Sequence, residues 1–241
     1  MKEFFKKNRY YLYLIYIPIY LVMFFITEHF IDGSNGYWVS WVPFDDVIPF
    51  VDWFVIFYVL WYPLLIGVGL LLLIKDKKGY ERYFLMIAIG FTASIIFFWI
   101  LPNGQDLRLA EFEKETIFTD LISMLWASDT NTNVLPSMHC YGSLCAMIAV
   151  IDSEKVKDWP TVVGVSLLSL LICASTCLIK QHSVLDAVAA VVMFVPLYII
   201  VYWKRLFSRK ASIYEKTNSL ATASQDLVLE SHEVVDIIEE N

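Results

Sequence analysis

The chain has 241 residues, 58% of them hydrophobic and 18% charged, with a formal net charge of −7. A soluble domain carries about 25% charge, and the mean hydropathy of +0.59 excludes an ordinary water-soluble protein. The apolar residues form long blocks, and each is measured against the roughly 20 residues that cross a bilayer as a helix.

Lys2, Lys6, Lys7 and Arg9 precede the first block, residues 10–27. That block is long and Tyr-rich and no small-residue cleavage site follows it, so it reads as an uncleaved span rather than a signal peptide. The loop after it holds Tyr37, Trp38 and Trp41, which read as interfacial anchors. Blocks at 54–74 and 83–101 follow, joined by a short segment with Lys75, Lys77, Lys78 and Arg82. The stretch 102–133 is a long loop. Within it Phe118, Leu121, Ile122, Leu125 and Trp126 recur at helical spacing, which predicts an amphipathic helix at the membrane surface, as an anchor or as a lid over a site. Three further blocks lie at 134–151, 161–179 and 183–203. The expected fold is therefore all-α, a polytopic membrane bundle with six transmembrane helices over residues 1–203. A polar tail, 204–241, is expected to be largely disordered, with a short helix at 227–238.

Orientation follows from the basic residues, which collect in cytoplasmic loops. Fifteen lie before the first block, between the second and third, after the fourth and after the sixth. Only Arg108, Lys114 and Lys180 lie on the other side. The expectation is a multi-pass cell-membrane protein with both termini cytoplasmic and the 102–133 loop outside. There is no nucleic-acid patch, no glycine-rich nucleotide loop and no carboxylate cluster suited to magnesium. The cysteines Cys140, Cys145, Cys173 and Cys177 all fall inside blocks without zinc-type spacing, and read as small apolar packing residues.

Three polar clusters fall on the outer face. The first is Pro102 to Arg108, after the third block. The second is Leu135-Pro136-Ser137-Met138-His139, opening the fourth. The third is Lys180-Gln181-His182-Ser183-Val184-Leu185-Asp186, opening the sixth. Ionisable groups at membrane depth are functional candidates by default. His182 and Asp186 are four apart, so on a helix the carboxylate reaches the ring and fixes its tautomer. The other ring nitrogen is then free as nucleophile or base. Pro136 and Ser137 at a helix opening favour an anion, and His139 beside them can protonate a leaving oxygen.

This combination resembles the type 2 phosphatidic acid phosphatase superfamily, whose signatures are KxxxxxxRP, PSGH and SRxxxxxHxxxD. Pro136-Ser137-Met138-His139 matches the second with Met for Gly. Ser175-Thr176, followed by His182 and Asp186, matches the third with Thr for Arg. The first is thin: Leu109 follows Arg108, and Leu101 stands at the lysine position. The variant motifs look more like the branch that includes inositol phosphorylceramide synthases. The resemblance implies a metal-free enzyme in which His182 attacks phosphorus, Asp186 orients it, His139 serves the leaving group, and Arg108, Ser137 and Lys180 hold the phosphoryl oxygens of a lipid phosphate. Hydrolysis, transfer to another alcohol, and a non-catalytic lipid binder on the same scaffold are the alternatives. On a fifth helix running past Ile179, Lys180 shares a face with Thr176 and is expected to replace the missing arginine.

Overall fold

The computed structural model describes residues 13–203. The tail at 204–241, with the helix expected at 227–238, lies outside the described residues. The chain divides into two compact units, Met1–Tyr198 and Ile199–Asn241, and the candidate site belongs to the first.

The first helix, α1 (Tyr16–Phe30), continues a 3-10 turn at Tyr13–Ile15. Pro18 falls in its first turn, where a missing N–H costs nothing. Residues Asp52–Lys75 form one apolar run of 24 residues, but the helix breaks into α2 (Val55–Val59) and α3 (Trp61–Lys75). Pro63 accounts for the break, because it has no N–H to donate to the carbonyl of Val59. Next come α4 (Lys77–Ile100), α5 (Ile117–Ser128), α6 (Met138–Asp152), α7 (Trp159–Leu178) and α8 (Val184–Trp203). Side chains mark the starts: Asp76 accepts from Gly79, Thr116 from Thr119, Ser137 from Cys140 and Asp158 from Thr161. Such caps satisfy amide donors that have no intrahelical acceptor.

Among the described residues, five helices are long and apolar enough to cross a membrane: Tyr13–Phe30, Asp52–Lys75, Lys77–Ile100, Trp159–Leu178 and Val184–Trp203. Large apolar side chains cover the outside of the bundle. Phe25 is 67% exposed, Ile74 78% and Val192 67%, a surface that suits hydrocarbon rather than water. The block at 134–151 departs from expectation. Its helix, α6, has 15 residues, about 22 Å, and falls short of a full span. The reason is local. Asn103 Oδ1 accepts the amides of Val134 and Leu135 at 3.0 and 2.7 Å, so these residues are held out of the helix and Ser137 caps it below them.

That pinning belongs to a ledge at one end of the bundle. Two short strands, β1 (Trp38–Val39) and β2 (Asn103–Gly104), pair in parallel. Asn133 donates its amide to Asn103 O at 2.7 Å. Glu28, at the end of α1, accepts from Thr130 and Asn133. The amphipathic helix is present as α5. Ile122 is buried with Val55, Tyr58 and Ile179, while Phe118, Leu125 and Trp126 pack against that cluster. Its apolar stripe therefore rests on α2 and the end of α7, and roofs the region beneath.

Candidate active site

Beneath this roof the starts of α6 and α8 meet. The amide of Ser137 donates to the carbonyl of Asp186 at 3.1 Å, which joins the second and third polar clusters directly. Ser183 and Asp186 form a capping box for α8. Ser183 Oγ accepts from Leu185 N at 3.1 Å, and Asp186 Oδ2 accepts from Ser183 N at 3.0 Å. The same Oδ2 meets His182 Nδ1 at 3.1 Å, and Oδ1 accepts from Ser40 Oγ. Asp186 is fully buried. The buried carboxylate thus has three partners, Ser40 Oγ, Ser183 N and the His182 ring nitrogen, and holds that ring in one orientation.

His182 Nδ1 is thereby committed, and Nε2 has no hydrogen-bond partner among the described residues. Burial opposes the charged ring, yet the hydrogen bond and charge of Asp186 outweigh it and hold His182 above the ordinary histidine pKa. His139, the second residue of α6, lies with its ring centroid 6.0 Å from that of His182. It packs against two aromatic rings, with Tyr58 stacked on it at 4.1 Å and Trp61 tilted against it at 4.3 Å. Gly142 makes room for this arrangement, since a Cβ there would stand 2.9 Å from Trp61 Nε1. His139 Nε2 is buried without a hydrogen-bond partner among the described residues. A buried polar atom left unpaired calls for an explanation, and His182, whose ring centroid is 6.0 Å away, also has a ring nitrogen without a partner among the described residues.

Arg108 approaches from the loop after β2. It donates to Trp126 O at 3.0 Å, Asp129 O at 2.6 Å and Gln181 Oε1 at 2.9 Å, and lies over the Trp126 ring. Its Nε has no partner among the described residues. Burial lowers its pKa, against the raising pull of Asp129, and the guanidinium remains charged at any working pH. Asp129, at the end of α5, accepts from Tyr58 OH at 2.9 Å and Gln181 Nε2 at 3.0 Å. The roof is thus bonded to the residue next to His182 and to the residue stacked on His139.

Lys180 is placed otherwise than expected. α7 ends at Leu178, and Lys180 takes a left-handed φ of 57°. Thr176 and Lys180 therefore do not share a helical face. The Lys180 ammonium donates to the carbonyls of Asp45 and Ile48 at 2.9 and 2.7 Å. The charge secures the 43–50 loop instead of standing over Thr176. Ser137 acts through its backbone and as a helix cap, with Cys140 N at 3.3 Å.

Several residues of the site lay outside the polar clusters. Asp45 accepts from Ser183 Oγ and Val184 N, and Ser40, Tyr58, Trp61 and Asp129 surround the histidines. Asp45 carries a trace in sequence, because acidic residues in the short loop 31–53 are near enough to reach a neighbouring helix start. Tyr58 and Trp61 carry none, being indistinguishable from other aromatics of an apolar block. Among the described residues no three of His, Cys, Asp and Glu converge as metal ligands. No family model, curated protein or solved structure matches this chain.

Proposed function

We propose that this protein is a membrane-embedded enzyme that removes the phosphate of a lipid phosphate through a phosphohistidine on His182. The observation that carries the reading is the pairing of His182 with Asp186, with the unpartnered nitrogen of His139 beside it. A lipid binder needs cations for a phosphate but has no use for an oriented imidazole.

In the first step His182 Nε2 attacks phosphorus, and the bond from phosphorus to the lipid oxygen breaks. The leaving oxygen takes a proton from His139. Asp186 stabilises the positive charge that the phosphorylated ring acquires. In the second step His139 takes a proton from water as its oxygen attacks phosphorus, and the bond to Nε2 breaks. Phosphate leaves and both histidines are restored. Arg108 and the free amides at the start of α6 supply positive potential for the phosphoryl oxygens. Ser137 fixes that helix start, and Lys180 contributes position rather than charge. On the distribution of basic residues, the site faces the extracytoplasmic side and both termini are cytoplasmic.

The test is turnover of a panel of labelled lipid monophosphates and diphosphates by purified protein, with and without alcohol acceptors. Phosphate release is expected, together with an acid-labile phosphoprotein that His182→Ala does not form. Transfer to an added alcohol would move the acceptor from water to alcohol and leave the first step as written. Absence of both turnover and phosphoprotein across the panel refutes the reading.

A further inference from the structure

A cavity of about 300 Å³ lies between α1, α3 and α4. Trp61 and Tyr62 line it at the end nearest the site, Tyr20 and Phe91 flank that end, and Gly69 and Leu73 line it farther along α3. It adjoins the candidate site across the Trp61 ring, which lines it and lies tilted against His139 with centroids 4.3 Å apart, while the Tyr62 ring stands 6.4 Å from His139. Three tyrosines of the wall, Tyr16, Tyr20 and Tyr83, turn their hydroxyls to partners in the protein. Tyr16 OH donates to Ala88 O, Tyr83 OH to Leu65 O and Tyr20 OH to the sulfur of Met138, next to His139. Their polar ends are thereby satisfied elsewhere, and the groove receives ring faces and aliphatic side chains.

We propose that this groove seats one hydrocarbon chain of the lipid whose phosphate is processed between His139 and His182. The proposal rests on the function inferred above and adds the class of substrate: a lipid phosphate recognised by a single long chain. A volume of about 300 Å³ is at the small end of ligand pockets and has room for one chain rather than two. Trp61 to Leu73 is twelve residues of helix, about 18 Å. A fully extended chain advances about 1.2 Å per backbone bond, so the groove matches about 15 carbons. Gly69 stands eight residues below Trp61, about 12 Å, level with about the tenth carbon.

Gly69 also supplies the test. A Cβ there would meet only Tyr83 Cε1 at 3.6 Å, so a larger side chain is accommodated by filling the groove. At Gly67, on the same helix, a Cβ would meet nothing within 4 Å, and this residue does not line the groove. Gly69→Phe and Gly67→Phe are therefore a matched pair. For the native protein, KM is expected to fall as a single-chain substrate is lengthened to about 15 carbons and then to level. Gly69→Phe moves the levelling point to about ten carbons. It raises KM for a 16-carbon substrate roughly five- to 150-fold, with an eight-carbon substrate unaffected. Gly67→Phe leaves both values alone. A second measurement needs no turnover. A 16-carbon lipid phosphate with a photoreactive group at the chain end is bound to the His182→Ala protein. Crosslinks confined to α1, α3 and α4, abolished by Gly69→Phe and kept by Gly67→Phe, support the groove. Crosslinks spread evenly over the outward faces of all helices, or an unchanged chain-length profile in Gly69→Phe, overturn it. Confined crosslinks in a protein that turns over no substrate would refute the enzymatic reading and leave the chain site standing.

Discussion

Replacing Asp186 by Asn separates charge from shape at the centre of the site. Asp186 Oδ2 faces both His182 Nδ1 and Ser183 N, while Oδ1 faces only Ser40 Oγ. An amide placed with its oxygen at Oδ2 keeps the first two contacts. Its NH₂ then meets Ser40, whose hydroxyl rotates to accept. The ring stays in place with the same tautomer and loses only the negative charge beside it. A hydrogen bond to a charged group is worth about 1.5–3 kcal/mol, so the attack step should slow about ten- to 150-fold. The pH profile should move as well. Asp186 raises the His182 pKa, and only the neutral ring attacks. On the proposed mechanism, native activity should therefore fall off on the acid side at a pH above the ordinary histidine value of about 6.5, and in Asp186→Asn this limb should shift to lower pH. The linked stability has the matching sign. It is fully present below about pH 6.5 and is lost as pH rises through the raised folded value, a dependence the variant should lack. Single-turnover rates and pH–rate profiles with a short-chain lipid phosphate provide the assay. An unchanged rate with an unshifted acid limb would refute the orienting role of Asp186.

His182→Ala should abolish turnover while its thermal unfolding stays close to native, because among the described residues the ring's hydrogen bond is to Asp186 alone; near-normal hydrolysis would remove the phosphohistidine. His139→Ala should slow a substrate with a poor leaving group by about 10²–10⁴ and spare one whose leaving group needs no proton. Activity should persist in excess chelator and be inhibited by vanadate, and restoration by magnesium after chelation would reveal a metal requirement. Lys180→Ala should lower stability by about 1.5–3 kcal/mol through its two carbonyl contacts, read by thermal unfolding. Thr176→Arg should not repair it; recovery of activity in that double variant would return Lys180 to the phosphate. A cysteine at the exposed Glu113 should react with an impermeant reagent from outside intact cells, and reaction only after lysis would invert the proposed orientation.

Much of this protein is local enough to be read from sequence. An apolar run of 20 residues has few alternatives in hydrocarbon, where only a helix satisfies its own backbone, so helices long enough to span cover five of the expected blocks, with α4 starting at Lys77 ahead of the expected 83. The stripe from Phe118 to Trp126 predicts α5 for the same kind of reason, a helical period over several turns. The His182–Asp186 contact was legible because four residues along a helix start is a fixed short distance, and Ser183 with Asp186 is a local capping box. Tertiary structure decided everything that depends on which distant backbone meets which side chain. Asn103 accepts the amides of residues 134 and 135 and holds them out of the helix, so α6 begins late and is short, which no hydropathy of the 134–151 block reveals. Lys180 turns to Asp45 and Ile48 because α7 stops at Leu178 and the backbone enters the left-handed region, a choice made by the loop it binds. Tyr58 and Trp61 are chemically ordinary members of an apolar block. They flank His139 because α2 and α3 pack across the start of α6, and that packing is a property of the assembled bundle rather than of any segment within it.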